Sequence, residues 1–239
     1  MSIENNPFHE EVPPLFAGFP PDALTFLRQL RRKNNRDWFN KNKQRYTGGL
    51  KEPMESLLLD LAERMKAFMP GIEIDPKKAP YRIYRDIRFS KDKTPYKTHY
   101  GASFTVAGRD RKYDPGYYFH IAPEEIIVAG GAYWLSPAQL KTVRAAIDAD
   151  AASLHALLGA KPLTKHFPGG LAGETLTRPP RGYSAGDPEI DLLKHKQMYF
   201  WTKLDPALAL QPDFAETLAA HFHAAAPFTQ WLLEKTEGV

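Results

Sequence analysis

The stretch that decides the fold runs from residue 101 to residue 134 and reads GASFTVAGRDRKYDPGYYFHIAPEEIIVAGGAYW. Three segments of strand-like composition follow one another here, at 101–107, 116–122 and 125–134, separated only by short turns. Consecutive strands joined by short turns favour an antiparallel meander, because a parallel connection needs a crossover of about a dozen residues or more. A Gly-Gly pair inside the third segment predicts a bulge or the close approach of another backbone.

The segments around this meander extend the pattern in both directions. Upstream, residues 80–90 alternate like a further strand, and downstream 174–177 and 197–203 are two more candidates. Apolar spacing and capping residues predict helices at 22–32, 35–46, 52–68, 136–158, 187–194 and from 212 onward. The predicted fold class is therefore α+β: an antiparallel sheet of four to six strands, packed by the N-terminal and central helices.

Length and composition predict a single α+β domain over residues 1–239, with an extended Pro-rich arm at 7–21 and a long loop at 160–186 as the only candidate linker. The chain has no cysteine, which excludes disulfides, thiolate nucleophiles and iron–sulfur clusters. Its first residues are polar, and no apolar run approaches the roughly 18–20 residues that a membrane span needs. We therefore expect a cytoplasmic protein without membrane contact; its oligomeric state does not follow from the sequence.

Positive charge is concentrated in two segments. Residues 28–51 contain nine Lys or Arg and one acidic residue, and residues 77–112 contain eleven Lys or Arg and three acidic residues. If the two segments meet in space, they predict a surface that attracts an anionic partner. The alternative is a set of solvated helix faces with local ion pairs.

The densest group of candidate ligand-binding side chains lies in YRIYRDIRFSKDKTPYKTH, residues 81–99. In strand geometry Arg82, Asp86 and Arg88 share one face, where the carboxylate can hold both guanidiniums toward a phosphate or carboxylate. Arg85 stands alone on the apolar face and needs a partner, which we expect from residues 174–191. The alternative is a structural ion-pair network at a sheet edge.

A second candidate is a pair of arginines around a rigid Pro-Pro step at 178–181, for which a loop braced by prolines is the alternative. A contact between Arg85 and 174–191 would place both arginine clusters around one cleft. The full set of candidate ligand-binding residues is Arg82, Arg85, Asp86, Arg88, Lys91, Lys93, Lys97, His99, Arg178 and Arg181.

No spacing of His, Asp or Glu matches a known metal motif, so we predict neither a metal nor another cofactor. His120 lies in a predicted strand, either as a hydrogen-bonded structural residue or as a ligand-binding or catalytic one. No nucleophile motif occurs, and the sequence assigns no reaction. The leading prediction is the binding or processing of a phosphate- or carboxylate-bearing small molecule at the basic site. A nucleic-acid-binding module and a structural or protein-interaction module are the alternatives.

Four stretches of the chain carry a resemblance to a known family. They are NNRDWFNKNKQRY at 34–46, the segment 81–99, the hairpin HIAPEE…GGAYW at 120–134, and RPPRGYSAGDPEIDLLKHK at 178–196. Together, in this order, they resemble the widespread bacterial and fungal family called domain of unknown function 2461. That family has no established activity, so the resemblance implies membership without implying a catalytic residue.

Overall fold

The computed structural model describes residues 16–239. Nine α-helices lie in this range: α1 Asp22–Arg32, α2 Arg36–Lys41, α3 Lys43–Tyr46, α4 Glu52–Lys66, α5 Pro137–Ala149, α6 Ala151–Leu158, α7 Lys161–His166, α8 Ile190–Leu193 and α9 Phe214–Lys235. Five strands form one sheet: β1 Ile72–Glu73, β2 Tyr100–Val106, β3 Gly116–Ile121, β4 Ile126–Ala132 and β5 Met198–Leu204. The strands are antiparallel and lie in sequence order, which confirms the predicted α+β class.

The predicted strand at 80–90 is wrong. Its first residues do pair with β2, through a bridge between Pro80 and Ala102 and a 2.8 Å hydrogen bond from the Tyr81 amide to the Gly101 carbonyl. The chain then leaves the sheet and folds back on itself as a hairpin. Pro80 before the first arm and Pro95 in the second arm lack the amide N–H that a continuous ladder requires. We call residues 81–99 the basic hairpin. The predicted strand at 174–177 likewise makes only isolated bridges to the segment around β5.

Three of the helix predictions need correction. The glycines after α3 do not interrupt the helical path, since Thr47–Lys51 forms a π-helical turn that leads directly into α4. The predicted helix 136–158 divides at Asp150, whose backbone is extended and whose carboxylate accepts a 3.1 Å hydrogen bond from the Ser153 amide at the start of α6. Helix α7 lies inside the predicted loop 160–186. The capping box at Ser136, by contrast, is confirmed.

Helix α9 covers one face of the sheet. The ring of Phe222 lies 5.5, 5.2 and 6.4 Å from the rings of Phe104, Tyr117 and Phe119, measured between centroids. Close contact with β4 depends on Gly130, because a Cβ there would lie only 2.8 Å from the Cβ of Ala225. At Gly131 a Cβ would lie 2.5 Å from the Met198 carbonyl oxygen of β5, which confirms the predicted close approach of another backbone at the Gly-Gly pair. The other face of the sheet is left for the basic hairpin and a cavity.

The predicted N-terminal arm is described only from residue 16 onward; residues 7–15 lie outside the described part of the chain. Phe16 and Phe19 are both buried, and the Phe19 amide donates a 2.9 Å hydrogen bond to the Ala209 carbonyl. No helix within residues 16–239 combines the length and the apolar character that crossing a bilayer requires.

Candidate functional site

A cavity of about 530 Å³ lies on the sheet face that points away from α9. Four strands supply its floor in one registered row, Ser103–Tyr118–Ala129–Trp201. A neighbouring row adds two residues without side chains, Gly116 and Gly131, followed by Tyr199. The small residues Ser103 and Ala129 in the first row and the two glycines in the second leave a hollow between the aromatic rings. The volume of this hollow is in the size range of pockets for small organic molecules.

Aromatic side chains dominate the lining. Six of the eighteen lining residues contribute Tyr or Trp rings, namely Tyr81, Tyr118, Tyr133, Trp134, Tyr199 and Trp201. Tyr117 also borders the cavity, but its ring packs against Phe222 of α9. Several are exposed at the rim, with 72% of Tyr133, 53% of Trp134 and 39% of Trp201 accessible to solvent. Large rings held open to solvent around a concavity provide flat surfaces on which a ligand can stack.

The basic hairpin contributes Lys97 to the cavity wall. The Lys97 amide donates a 2.8 Å hydrogen bond to the Ile83 carbonyl, which aligns the two arms of the hairpin, and its Nζ lies 4.8 Å from the centroid of the Tyr81 ring. Burial lowers the pKa of Lys97, and the nearby charge of Arg82 lowers it further. Among the described residues, Nζ has no hydrogen bond and no carboxylate within 4 Å. The half-buried ammonium is therefore available to an anion.

A second cation, Arg111, is held by the protein. It donates hydrogen bonds of 2.7 Å to the Ala79 carbonyl and 3.2 Å to the Ser103 Oγ, and its guanidinium lies 5.1 Å from the centroid of Tyr81. Ser103 in turn donates to the Tyr81 hydroxyl at 2.9 Å. These contacts hold the Tyr81 ring against two cations. The one carboxylate among the described lining residues, Asp114, already accepts hydrogen bonds from other protein groups, and the lining cations Lys97, Arg111 and Lys112 outnumber it.

Two histidines and a tyrosine form a polar group beside the cavity. The Tyr118 hydroxyl lies 2.8 Å from the His120 Nδ1, and the rings of His99 and His120 are 4.6 Å apart. Burial, together with the neighbouring His99, lowers the pKa of His120 to about 4, and burial also lowers the pKa of His99. Burial raises the pKa of Tyr118. At neutral pH Tyr118 therefore donates to an uncharged His120, an arrangement that holds the tyrosine in place.

No three His, Asp or Glu side chains converge on a point where they could bind a metal within residues 16–239. The sequence model of the family described as "Conserved hypothetical protein (DUF2461)" matches residues 22–231. The chain belongs to this family. A search of curated proteins and a search of solved structures found no match. The comparisons thus identify the family, as the resemblance of the four stretches implies, and carry no activity with them.

Within this DUF2461 chain, only two of the candidate ligand-binding residues line the cavity. Lys97 and His99 are at the base of the basic hairpin, which enters the cavity wall. Lys91 and Lys93 are exposed beyond it, and the Lys93 Nζ donates a 3.0 Å hydrogen bond to the Ile87 carbonyl. Arg178 and Arg181 are exposed on a separate loop. The candidate residues therefore do not form one site.

Asp86 holds one of its two predicted arginines. Arg88 donates from Nε and Nη2 to the two carboxylate oxygens at 3.0 and 2.8 Å, and these hydrogen bonds lower the pKa of Asp86 to about 2. Arg82 contributes only through its charge, which lowers that pKa slightly more. The predicted pairing is confirmed for Arg88 and replaced by a longer-range interaction for Arg82.

The predicted partner of Arg85 is wrong. Its guanidinium pairs with Asp92 and with the Thr94 hydroxyl, and donates to the Thr94 carbonyl at 3.2 Å. The prediction assumed a straight strand, whereas the chain turns after Arg85 and brings Asp92 back beside it. The expected acids of 174–191 are used elsewhere: Glu174 pairs with Lys196, and Glu189 with His155. No residue of 174–191 lines the cavity, so the single-cleft hypothesis is also wrong.

The residues that sequence reasoning missed are Tyr81, Arg111 and the rings of β3 and β5. One signal was present, since Tyr117 and Tyr118 are adjacent, as are Phe200 and Trp201, so aromatic residues point to both faces of each strand. One face packs against α9, and rings on the other face need either a cover or a ligand. The sequence alone could not show that the opposite positions on the neighbouring strands are small.

Proposed function

We propose that the protein binds a small organic anion in the cavity, with the negative group of the ligand on Lys97 and its flat part against the aromatic walls. The observation that carries this proposal is the Lys97 ammonium, which is half-buried, lies over the Tyr81 ring and has no carboxylate partner among the described residues. Desolvating a cation costs free energy that a structural role normally offsets with a paired acid. An anionic ligand would supply that missing partner.

The aromatic lining supports a ligand that is more than an inorganic ion. A bare phosphate would occupy little of a cavity of about 530 Å³ and would leave most of its rings without contacts. A planar ring bearing a phosphate or carboxylate would stack on Trp201 or Tyr199 and still reach a cation. We assign no reaction to this site.

The test compares charged compounds with neutral analogues in thermal unfolding. AMP and benzoate are expected to raise the Tm, whereas adenosine and benzamide raise it less or not at all, because binding to the folded state alone stabilises it. In Lys97→Met the affinity for AMP, measured by calorimetry, should fall about 10- to 100-fold, the usual effect of removing a hydrogen bond to a charged group. The Tm without ligand should stay the same or rise, since an unpaired, half-buried charge is removed.

Lys141→Met is the matched control, because Lys141 is exposed on α5 and lies outside the cavity. It should leave the AMP affinity unchanged. If no anion in a broad library of phosphates and carboxylates stabilises the wild-type protein, the proposal is wrong. Equal responses of the wild type and Lys97→Met would show instead that the anion binds elsewhere.

The cytoplasmic location and a role as a protein-interaction module stay predictions.

A further inference from the structure

The basic hairpin connects the cavity to a second exposed surface. Its arms are joined by the bridge between Tyr84 and Tyr96 and by a 2.9 Å hydrogen bond from the Arg85 amide to the Pro95 carbonyl. Its base, with Lys97, lines the cavity, and its tip, residues 86–94, extends beyond the paired arms. The hairpin therefore connects the cavity to the tip along a continuous stretch of chain.

The tip carries a ring with no structural role. Phe89 is 95% exposed, and the guanidinium of Arg88 lies 5.8 Å from the centroid of its ring. A phenylalanine contributes to folding by leaving water, and this one stays in water. The ring–cation pair at Phe89 repeats the pairing of Tyr81 with Lys97 and Arg111 at the cavity.

Positive charge continues between the two places. The basic hairpin has six Lys or Arg and only two acidic residues, Asp86 and Asp92. The charge of Arg82 acts on both Lys97, which lines the cavity, and Asp86, which belongs to the tip. Excess cations along the path can neutralise a series of negative charges on an extended ligand.

The N-terminal basic segment meets the hairpin as well. Asn34 Nδ2 donates to the Tyr96 carbonyl at 2.9 Å and its Oδ1 accepts from the Tyr96 amide at 3.0 Å. The Phe39 ring stacks on the Tyr96 ring at 4.1 Å, and the charge of Arg36 acts on Tyr96. The two basic segments of the sequence therefore pack against each other at this arm of the hairpin.

Rings alternating with cations along a path are the arrangement with which proteins bind single-stranded nucleic acid, where rings stack on bases and cations neutralise phosphates. An acidic peptide would use the cations and leave the rings without partners. A membrane surface would need several exposed apolar side chains at the tip, and of the large apolar side chains between residues 86 and 94 only Phe89 is strongly exposed. The geometry therefore favours a nucleic acid.

We propose that the protein binds single-stranded nucleic acid, with one base in the cavity and the adjoining nucleotides along the basic hairpin to Phe89. The cavity end of this inference rests on the proposed function, whereas the hairpin end is a separate binding surface. A base in the cavity must be unpaired to reach the rings, which is why the strand has to be single.

The experiment measures two ligands on the same variants. A fluorescent oligoadenylate of about ten nucleotides, within the usual site size for single-strand binders, is titrated by anisotropy, and AMP by calorimetry. Phe89→Ala should weaken oligoadenylate binding roughly 5- to 100-fold, the range for loss of one stacked base, and leave AMP binding unchanged. Lys97→Met should weaken both. Lys141→Gln, the matched surface control, should weaken neither.

Salt dependence tests the phosphate contacts. Between about 50 and 200 mM salt, oligoadenylate affinity should fall steeply, and each of Lys91→Gln and Lys93→Gln should reduce the log–log slope by about 0.7. If AMP binds and oligoadenylate binds no better, the inference is wrong while the proposed function stands. If neither binds, the inference is wrong, and the response to the library of phosphates and carboxylates decides whether the proposed function fails as well. Binding of polyglutamate or phosphatidylserine vesicles that equals oligoadenylate binding and depends equally on Phe89 would also overturn the inference.

Discussion

The base and the tip of the basic hairpin carry similar residues in opposite circumstances. At the tip, Arg88 is paired with Asp86, and Asp92 with Arg85 at the end of the adjoining arm; three of these four side chains are about half exposed or more. At the base, Lys97 is half-buried, faces a ring and has no acidic partner among the described residues. The charges of Arg85 and Arg88 are thus compensated by nearby carboxylates, whereas no described carboxylate compensates the charge of Lys97.

This difference leads us to expect that the pairing and burial of a cation, more than the density of charge, decide whether it binds an anion. An exposed arginine with a carboxylate beside it interacts weakly with further ions, because water and its partner already solvate it. A desolvated cation without a partner gains more from an anion, since the local dielectric is low. The base is therefore the stronger part of any binding surface, and the tip adds length and stacking to it.

The largest expected effect is on the free energy of unfolding, because an aromatic ring near the base is buried and one at the tip is exposed. Phe39 is fully buried and stacks on Tyr96 in the arm near the base, whereas Phe89 at the tip is 95% exposed. Phe39→Ala should lower the free energy of unfolding by about 3–5 kcal/mol, as in other buried cores. Phe89→Ala should change it by less than about 0.5 kcal/mol. Urea unfolding of both variants measures the contrast, and comparable losses would show that the tip is packed against the body.

A smaller effect is the dependence of stability on pH through His120 and His99, beside the base of the hairpin. The pKa of His120 in the folded protein is about 4, below its ordinary value of 6.5, so the unfolded chain binds the proton more tightly. The contribution of His120 to stability is therefore fully present above pH 6.5, and it is lost as the pH falls from 6.5 toward 4. His99 contributes in the same direction, because its pKa is also lowered. The charge of Glu125 opposes the shift at His120, since it raises the pKa of that histidine.

The measurement is the Tm of wild type and His120→Gln between pH 4.5 and pH 7.5, a range that spans most of this window. The variant should lose part of the dependence on pH, and His99→Gln/His120→Gln should lose more. A wild-type Tm that stays constant from pH 7.5 to pH 4.5 would contradict the assignment of an uncharged, buried His120.

The smallest effect belongs to the ion pairs of the tip. Hydrogen bonds from Arg88 lower the pKa of Asp86 to about 2, and those from Thr94 and Arg85 lower the pKa of Asp92 to about 2, against an ordinary value of 3.8. Their contribution is present above pH 3.8 and is lost as the pH falls toward 2. Asp86→Asn and Asp92→Asn should lower the Tm slightly at pH 7, and the loss should be smaller at high salt. In both variants the Tm should also depend less on pH below pH 3.8. A large loss at pH 7 would mean that the tip supports the fold.

The sequence predicted the parts of the fold whose residues are neighbours along the chain. Strands β2, β3 and β4 followed from alternation and short turns, and α5 from the capping box at Ser136. Alternation failed at 80–90 because any extended segment alternates its side chains, whether or not a ladder forms beside it. Pro80 and Pro95 were the sign that the ladder ends there.

The site was harder to predict because its residues meet only through the register of four strands. The row Ser103–Tyr118–Ala129–Trp201 depends on how each hairpin aligns, and a shift by one residue would point every ring to the other face. Sequence reasoning therefore singled out the segment that supplies Lys97 and His99, but neither its hairpin conformation nor the cavity that they enter. It also placed Arg85 beside 174–191, since a turn that returns Asp92 is not visible in alternation.

The paired hydrogen bonds between Asn34 and Tyr96 have a consequence for how the chain folds. They join residues 62 positions apart, so the arm that carries Lys97 docks only after a long loop has closed. Loop closure costs entropy before any contact compensates it, and contacts between distant residues form slowly. We expect α1 and α9 to gain structure before this arm docks. In a refolding experiment the capacity to bind an anion should therefore appear after the recovery of helical signal, as the last property the molecule acquires.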